Sequence, residues 1–447
     1  MVEQGSENTQ PFQQKLWKEG KINQDCTLIL KANMNNAEFL GKLRTFMKKA
    51  LCKGQMSLEQ VAEEARKCFI CIDEDDDDSW NGDKSAQIVL NEINGKTSAM
   101  CKKDQLYLQG RFWEKWIKLD KDQSRPKAYQ HQKENLVTYI DHLVKQKSKI
   151  RTHQYTKGLS SLMKAFVEEF KEHSHNHLSR AFFLQSMKQG LEVKCRETIH
   201  PLREEYKRLY EGSERKKLVQ LDKTISESSL GLEHLIREMA QMYEAASSLK
   251  CTEEFRDFPR LAAQMLFDGY PLELIDGDVS GIPLLWVKAV LEELSFLIKP
   301  ETRIPVVSVL GVQSTGKSTL LNTMFGVQFA VSSGRCTRGA FMQLVRVEGE
   351  ANEKLKCDFI MILDTEGLKA PELLATLVIG LSDVTIINLA MENMTEMKDI
   401  LQIAVHAFLR MKEVGKKPIC HFVNTFSKFC GRPEDVNQIR LHMPMCV

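Results

Sequence analysis

The chain has 447 residues, of which 43% are hydrophobic and 27% are charged, and its formal net charge is +2. This length allows two or three domains, and the composition is that of an ordinary globular protein. The near-zero charge gives no reason to expect nucleic acid or an anionic membrane surface as a partner. The 12 cysteines are scattered, and Cys68 and Cys71 form one C-x-x-C without a second pair. We therefore expect reduced, structural thiols rather than a zinc site.

The polar segment of residues 1–24 is predicted to be disordered. It has no apolar core of a signal peptide, and no apolar run in the chain is long enough to span a bilayer. The expected location is the cytosol, with the nucleus as an alternative.

Residues 25–254 are predicted to form a helical region, because their apolar residues recur at helical spacing. One such face lies in residues 37–51. Three more stripes are predicted to be core: Phe112, Trp113, Trp116, Ile117 and Leu119; Leu136, Ile140, Leu143 and Val144; and Leu159, Leu162, Met163, Phe166, Val167 and Phe170. A bundle or elongated stack would bury them against one another.

Two polar clusters in this region resemble metal sites only superficially. The acidic run of residues 73–78 lacks the glycine and the glutamate that an EF-hand needs at its sixth and twelfth positions, so a solvated loop is expected. His173, His175 and His177 alternate and would not share one face of a helix, so we expect no metal there. Residues 255–299, rich in proline and glycine, are predicted to be a helical connector.

The strongest motif is a glycine-rich loop between a predicted strand, residues 303–310, and a predicted helix, residues 319–325. It matches G-x-x-x-x-G-K-[ST], which turns backbone N–H groups and a helix N-terminus toward phosphate. Lys317 would reach the β- and γ-phosphates, and the Ser318 hydroxyl would hold Mg²⁺. A glycine turn that binds nothing is the alternative. The predicted nucleotide-binding residues here are Gly311, Gln313, Ser314, Thr315, Gly316, Lys317, Ser318 and Thr319.

Two later segments supply the remaining site residues. Residues 326–339 are small and polar and are predicted to form a mobile loop, whose Thr337 would complete the Mg²⁺ shell. A second buried strand, residues 357–363, ends in a D-x-x-G pattern, whose carboxylate would orient water on Mg²⁺. This adds Asp364, Thr365, Glu366 and Gly367 to the nucleotide-binding set, and the predicted metal ligands are Ser318, Thr337 and Asp364.

The elements after this motif complete the predicted fold. Residues 384–389 and 418–423 are predicted strands, and residues 394–412 a helix. Alternating strands and helices favour a parallel sheet with the nucleotide at the carboxyl ends of its strands. The fold class is therefore α + α/β: an all-helical region followed by a P-loop domain with a parallel sheet at residues 300–423 and a tail at 424–447.

Three segments of this half, residues 311–322, 336–339 and 363–368, closely resemble the interferon-inducible very large GTPases and the related up-regulator of cell proliferation group. The glycine loop and the Thr-Arg pair are more distantly similar to dynamin-type GTPases. The resemblance implies binding of GTP and Mg²⁺, slow GTP hydrolysis and nucleotide-driven self-association. By the same analogy, Gln313 and Ser314 would lie beside the β–γ bridge and help to place the attacking water. With Thr337 they form the predicted catalytic set.

The sequence departs from this family in two places. An insert after residue 373 is missing, and Asn424 to Lys428 do not form the N-K-x-D motif that reads guanine. The resemblance therefore implies a truncated or alternatively ended member, with an incomplete P-loop GTPase domain at residues 300–423 and a divergent tail at 424–447. Two alternatives stay open: a helical interaction or scaffold protein whose GTPase domain no longer binds, and an ATP-binding P-loop protein.

Overall fold

A computed structural model describes residues 2–4, 29–31, 77–126, 135–210, 215–277, 279, 281–299, 302–311, 315–327, 329, 339–347, 350–365, 372–390, 394–413 and 419–425. The chain divides into two compact units, residues 1–77 and 78–447. In the first unit, strands β1 (Val2–Gln4) and β2 (Ile29–Lys31) pair in parallel. Strand β1 lies in a segment that was expected to be disordered. The prediction missed it because a strand of three residues with a partner 27 positions away has no local sequence pattern. The predicted helix at 37–51 and Cys68 and Cys71 lie outside the described residues.

The second unit begins with helices, which confirms the predicted helical region from residue 77 onward. They are α1 (Asp77–Asn91), α2 (Ser98–Gln105), α3 (Arg111–Ser124), α4 (Leu136–Lys157), α5 (Ser161–Glu172), α6 (His177–Tyr210), α7 (Arg215–Ser228), α8 (Leu232–Ser248), α9 (Asp257–Phe267) and α10 (Leu284–Leu297). Asp77 and Asp78, expected in an acidic loop, instead begin α1. Residues 73–76 of the acidic run lie outside the described residues.

Side-chain caps fix where several of these helices start. The side chains of Thr97, Asn135 and Ser160 accept hydrogen bonds from the backbone N–H groups of Met100, Val137 and Met163, at the starts of α2, α4 and α5. Such caps satisfy N–H groups that have no partner inside the helix. The apolar stripe of α5 is buried as predicted, with Leu162, Met163, Phe166, Val167 and Phe170 all in the core.

Helix α8 carries buried polar side chains that connect the helices around it. Glu238 accepts hydrogen bonds from the backbone N–H groups of Leu108 and Gln109, and Glu244 from those of Leu285 and Trp286 at the start of α10. These bonds give both buried carboxylates hydrogen-bond donors, and the bonds to Glu244 also provide acceptors for N–H groups in the first turn of α10.

The remaining elements form a six-stranded sheet and its flanking helices. The strands are β3 (Leu272–Asp276), β4 (Val306–Gly311), β5 (Gly339–Arg346), β6 (Phe359–Thr365), β7 (Val384–Ala390) and β8 (Ile419–Thr425). The helices are α11 (Lys317–Phe325), α12 (Glu350–Leu355), α13 (Glu372–Leu381) and α14 (Met394–Glu413). The order across the sheet is β3-β5-β6-β4-β7-β8. The predicted strands of this half are thus present, with boundaries moved by up to three residues.

The sheet is mixed rather than purely parallel. Strand β5 is antiparallel to both β3 and β6, whereas β6, β4, β7 and β8 pair in parallel. Antiparallel pairing suits the short connection between β5 and β6, residues 347–358. Strand β3 was not predicted, since it lies in the supposed helical connector. Arg237 of α8 holds this strand through two hydrogen bonds to Glu273, at 2.5 and 2.6 Å.

Two hydrophobic clusters cover the two faces of the sheet. One is continuous with the helical region and includes Phe166, Met239, Leu274 and Leu344. The other, with Val309, Leu321, Ile362 and Ile386, lies under α11. The predicted domain boundaries at residues 254, 299 and 423 stay predictions. Within the described part of the chain, no helix is both long and apolar enough to cross a membrane.

Candidate phosphate and metal site

The glycine loop lies between the end of β4 and the start of α11. Gly316 has φ 77°, a left-handed conformation that glycine adopts without strain. The hydrogen bond from the Leu320 N–H to the Gly316 carbonyl, 2.8 Å long, starts the helix at once. Lys317 is therefore the first helical residue, and it is 6% exposed. Backbone N–H groups at such a helix start attract anions.

Ser318 and Asp364 meet at the carboxyl ends of β4 and β6. The Ser318 hydroxyl donates a hydrogen bond of 2.8 Å to Oδ2 of Asp364, although the two residues are 46 positions apart in the chain. Asp364 is fully buried and Ser318 half-buried. A hydroxyl and a carboxylate are hard oxygen ligands, so this pair fits Mg²⁺, which takes few protein ligands and completes its shell with phosphate and water.

The backbone pairing between β4 and β6 ends next to this pair. Their backbone register runs from Val306 opposite Met361 to Ser308 opposite Leu363. One residue further along β4, the Thr365 hydroxyl donates a 2.7 Å hydrogen bond to the Val309 carbonyl. The backbone pairing of β4 with β6 therefore ends next to Asp364, and a side-chain hydrogen bond continues the contact. Ligands of α/β sheets bind at this kind of position, where chain connections leave a central strand in opposite directions.

The structure separates the predicted site residues into groups. It brings Ser318 and Asp364 together, with Lys317 next to Ser318 at the start of α11, and it leaves Thr319 exposed on α11. Thr365 is fully buried with its hydroxyl bound to the sheet, so only its backbone remains for a ligand. Gln313, Ser314, Thr337, Glu366 and Gly367 lie outside the described residues, and their roles stay predictions.

Asn388 of β7 is a site residue that the sequence reasoning missed. Its side-chain Nδ2 donates to the Thr315 carbonyl at 2.8 Å and reaches the Thr315 hydroxyl at 3.4 Å. The only signal was a carboxamide near the end of an otherwise largely apolar strand, Val384–Ala390. Its backbone also constrains Gly311, which it opposes in the sheet, because a Cβ on Gly311 would lie 2.4 Å from the Asn388 carbonyl oxygen.

Of the three histidines considered as a metal site, His173 is buried and makes ordinary packing contacts. His173 stacks on Phe183 with ring centroids 5.3 Å apart, and its Nδ1 lies 2.5 Å from the Ser179 hydroxyl. His175 and His177 are exposed. Among the residues that the structure describes, no group of three or more His, Cys, Asp or Glu side chains is arranged to hold a metal ion.

Comparison with known proteins gives matches along most of the chain. Residues 120–428 match the model of the URGCP-like GTPase domain, and residues 1–90 match that of the Up-regulator of cell proliferation-like domain. Interferon-induced very large GTPase 1 of Mus musculus is 36% identical over 425 residues, which are 88% of this chain and 17% of the relative. The Homo sapiens protein of the same name is 37% identical over 424 residues, again 88% and 17%.

A shorter relative is aligned over nearly all of this chain. Up-regulator of cell proliferation of Homo sapiens is 32% identical over 469 residues, 97% of this chain and 48% of the relative. The chain thus spans about half, or less, of the length of these relatives. The matches confirm the resemblance that the motifs indicated. Because the GTPase-domain model covers more than half of its 447 residues, the chain belongs to the family of URGCP-like GTPase domains.

Proposed function

We propose that this chain binds GTP together with Mg²⁺ and hydrolyses GTP slowly or not at all. The observation that carries the proposal is the hydrogen bond between Ser318 and Asp364, which are predicted to share one Mg²⁺. Family membership supports guanine nucleotide as the ligand. Ser318 and Asp364 would replace their mutual hydrogen bond by bonds to the ion and its water molecules.

The residues around this pair have complementary roles in the proposal. Lys317 would neutralise the β- and γ-phosphates, and the start of α11 would contribute its N–H groups. Burial strengthens the interaction of the Lys317 ammonium with phosphate, because water screens it less. Bound Mg²⁺ would offset phosphate charge. Hydrolysis further depends on Gln313, Ser314 and Thr337, and we expect it to be slow.

Nucleotide binding is tested by thermal unfolding and by titration of the full chain with GTP, GDP and ATP, with Mg²⁺ or with EDTA. A nucleotide at a hundred times its dissociation constant is expected to stabilise the folded state by about 2.7 kcal/mol. Lys317→Ala should abolish this shift without preventing folding. Ser318→Ala should weaken the Mg²⁺-dependent part of binding.

Lys288→Ala is the matched control, since Lys288 is 72% exposed and forms only a surface ion pair with Glu292. It should leave the nucleotide shift unchanged. A wild-type chain that unfolds cooperatively but responds to no nucleotide would overturn the proposal, as would unchanged affinity in Lys317→Ala. An equal response to ATP and GTP would overturn the choice of guanine only.

Nucleotide-dependent self-association in the cytosol belongs to the same proposal, on the strength of the dynamin-type motifs. Size-exclusion chromatography of the chain with GTP and Mg²⁺ should then show a larger species than without nucleotide. An elution volume that no nucleotide changes would argue for the scaffold alternative.

A further inference from the structure

We infer that Asn388 is a positioning residue for the phosphate loop, holding both ends of the loop in the form that accepts a polyphosphate. The inference rests on the proposed nucleotide binding. It adds a residue from β7, an element that carries none of the recognised motifs.

The geometry places one residue against both ends of the loop. The backbone of Asn388 lies directly opposite Gly311, where the loop leaves β4, and packs too closely there to admit a Cβ. Its side chain donates to the carbonyl of Thr315, where the loop enters α11. Asn388 is fully buried and Thr315 is 9% exposed, so water competes little for this bond.

The bond to the Thr315 carbonyl has a consequence for the next N–H group. In a planar trans peptide, the C=O of one residue and the N–H of the following residue point in opposite directions. Fixing the Thr315 carbonyl toward Asn388 therefore turns the Gly316 N–H away from Asn388. We assign to this arrangement the presentation of the Gly316 N–H to phosphate. It also keeps a carbonyl dipole from facing the phosphate oxygens, which would repel it.

A purely structural role for Asn388 makes a different prediction. A buried carboxamide costs more to desolvate than an apolar side chain. If Asn388 only packed within the strand, leucine at this position would stabilise the sheet equally well, and replacing Asn388 would not change nucleotide affinity. Strand β7 offers a comparison in Thr385, also fully buried, which accepts a 3.2 Å hydrogen bond from Ser308 of β4. Thr385 lies three residues before Asn388 and pairs with β4 away from the loop.

The experiment compares Asn388→Ala and Asn388→Asp with Thr385→Val in titrations of the full chain with GTP and Mg²⁺. Asn388→Ala should weaken affinity by about tenfold or more, because one anchoring bond of the loop is lost. Asn388→Asp should weaken it further, since a carboxylate cannot donate and adds negative charge near the phosphates. Thr385→Val should stay within about twofold of wild type despite losing a buried hydrogen bond. The preference for GTP over ATP should be the same in all variants, since the loop does not contact the base.

A second measurement needs no nucleotide. Hydrogen exchange of the Leu320 amide, the first intrahelical bond of α11, reports whether the loop end is held. Exchange in the nucleotide-free chain should be faster in Asn388→Ala than in Thr385→Val. If wild type binds GTP and Asn388→Ala binds equally well, the role of Asn388 is overturned and the proposed function stands. If wild type binds no nucleotide, the proposed function fails. If Asn388→Ala also leaves the exchange rate of the Leu320 amide unchanged, the role of Asn388 is overturned as well.

Discussion

Replacing Arg151 by methionine should destabilise the helical region far more than removing a surface ion pair. The Arg151 guanidinium is 2% exposed and lies 3.3 Å from a Glu244 carboxylate oxygen that is itself nearly buried. It also donates to Gln154 at 2.9 Å and to Gln241 at 3.0 Å. Methionine fills a similar volume but leaves the Glu244 charge without a cation.

The size of the destabilisation follows from the Glu244 carboxylate, which stays buried after Arg151 is removed. Removing one partner of a buried ion pair costs about 3–5 kcal/mol, because the other charge remains desolvated. Burial already raises the pKa of Glu244 even with Arg151 present. Glu244 also accepts hydrogen bonds from the backbone N–H groups of Leu285 and Trp286, at 2.9 and 3.1 Å. Loss of the Arg151 charge should therefore also weaken the anchoring of the first turn of α10.

Urea unfolding followed by tryptophan fluorescence measures this cost, since the Arg151 guanidinium lies 4.6 Å from the ring centroid of Trp116. Lys145→Met is the matched control on the same helix. Lys145 forms an ion pair with Asp141, and the two side chains are 69% and 57% exposed. Loss of this surface ion pair should cost about 1 kcal/mol or less. The double variant Arg151→Met/Glu244→Gln removes both charges but keeps an acceptor for α10. It should therefore be less destabilised than the sum of the two single variants. Equal effects of Arg151→Met and Lys145→Met, or strict additivity in the double variant, would refute the reasoning.

Two further predictions concern pH and backbone conformation. Burial raises the pKa of Glu238 from 4.5 to about 7, so the folded state holds its proton more tightly than the unfolded state. Its contribution to stability is complete below pH 4.5 and lost as pH rises through 7, at most about 3 kcal/mol. Urea unfolding at pH 5 and pH 8 should show a smaller pH difference for Glu238→Gln than for wild type; an identical difference would contradict this assignment. Gly339→Ala should destabilise more than Gly95→Ala: both glycines have φ near 75°, but only at Gly339 would a Cβ overlap a neighbour, the Ile275 carbonyl. Equal free energies of unfolding for these two variants would contradict this prediction, because β3 would then have moved to accommodate the added methyl group.

The strand and the helix on either side of the glycine loop were predictable because their signals are local. Gly311 to Ser318 specify a strand, a turn and a helix start within eight residues, and the spacing to Asp364 set the next strand. Strand β3 was not predictable in this way. Its five residues lie between helix α9 and a turn, and its partner β5 begins more than 60 residues later. Asn388 was missed for a related reason, since its partner Thr315 is 73 residues away.

Helix α4 shows where periodicity alone fails. Its apolar residues correctly predicted a helix, but Leu136 and Val144 are exposed, at 38% and 45%. The helix instead buries Tyr139 and Leu143 together with the polar Arg151 and Gln154. Hydrophobicity cannot anticipate this choice, because the polar pair is stable in the core through its hydrogen bonds to α8 and to the Leu108 carbonyl.

The proposed phosphate site and the buried polar contacts of the helices depend on different side chains. The Ser318–Asp364 pair depends on β4, β6 and α11, whereas the buried Arg151 and Glu238 bonds depend on α4, α8 and the chain at Leu108 and Gln109. Loss of the phosphate site therefore leaves those polar contacts intact. Arg237 adds a polar connection between the two parts, because it links α8 to β3, the strand that pairs with β5 just after the segment that holds Thr337. If Thr337 completes the Mg²⁺ shell as predicted, β5, β3 and Arg237 form a contact path from the metal site to the helices.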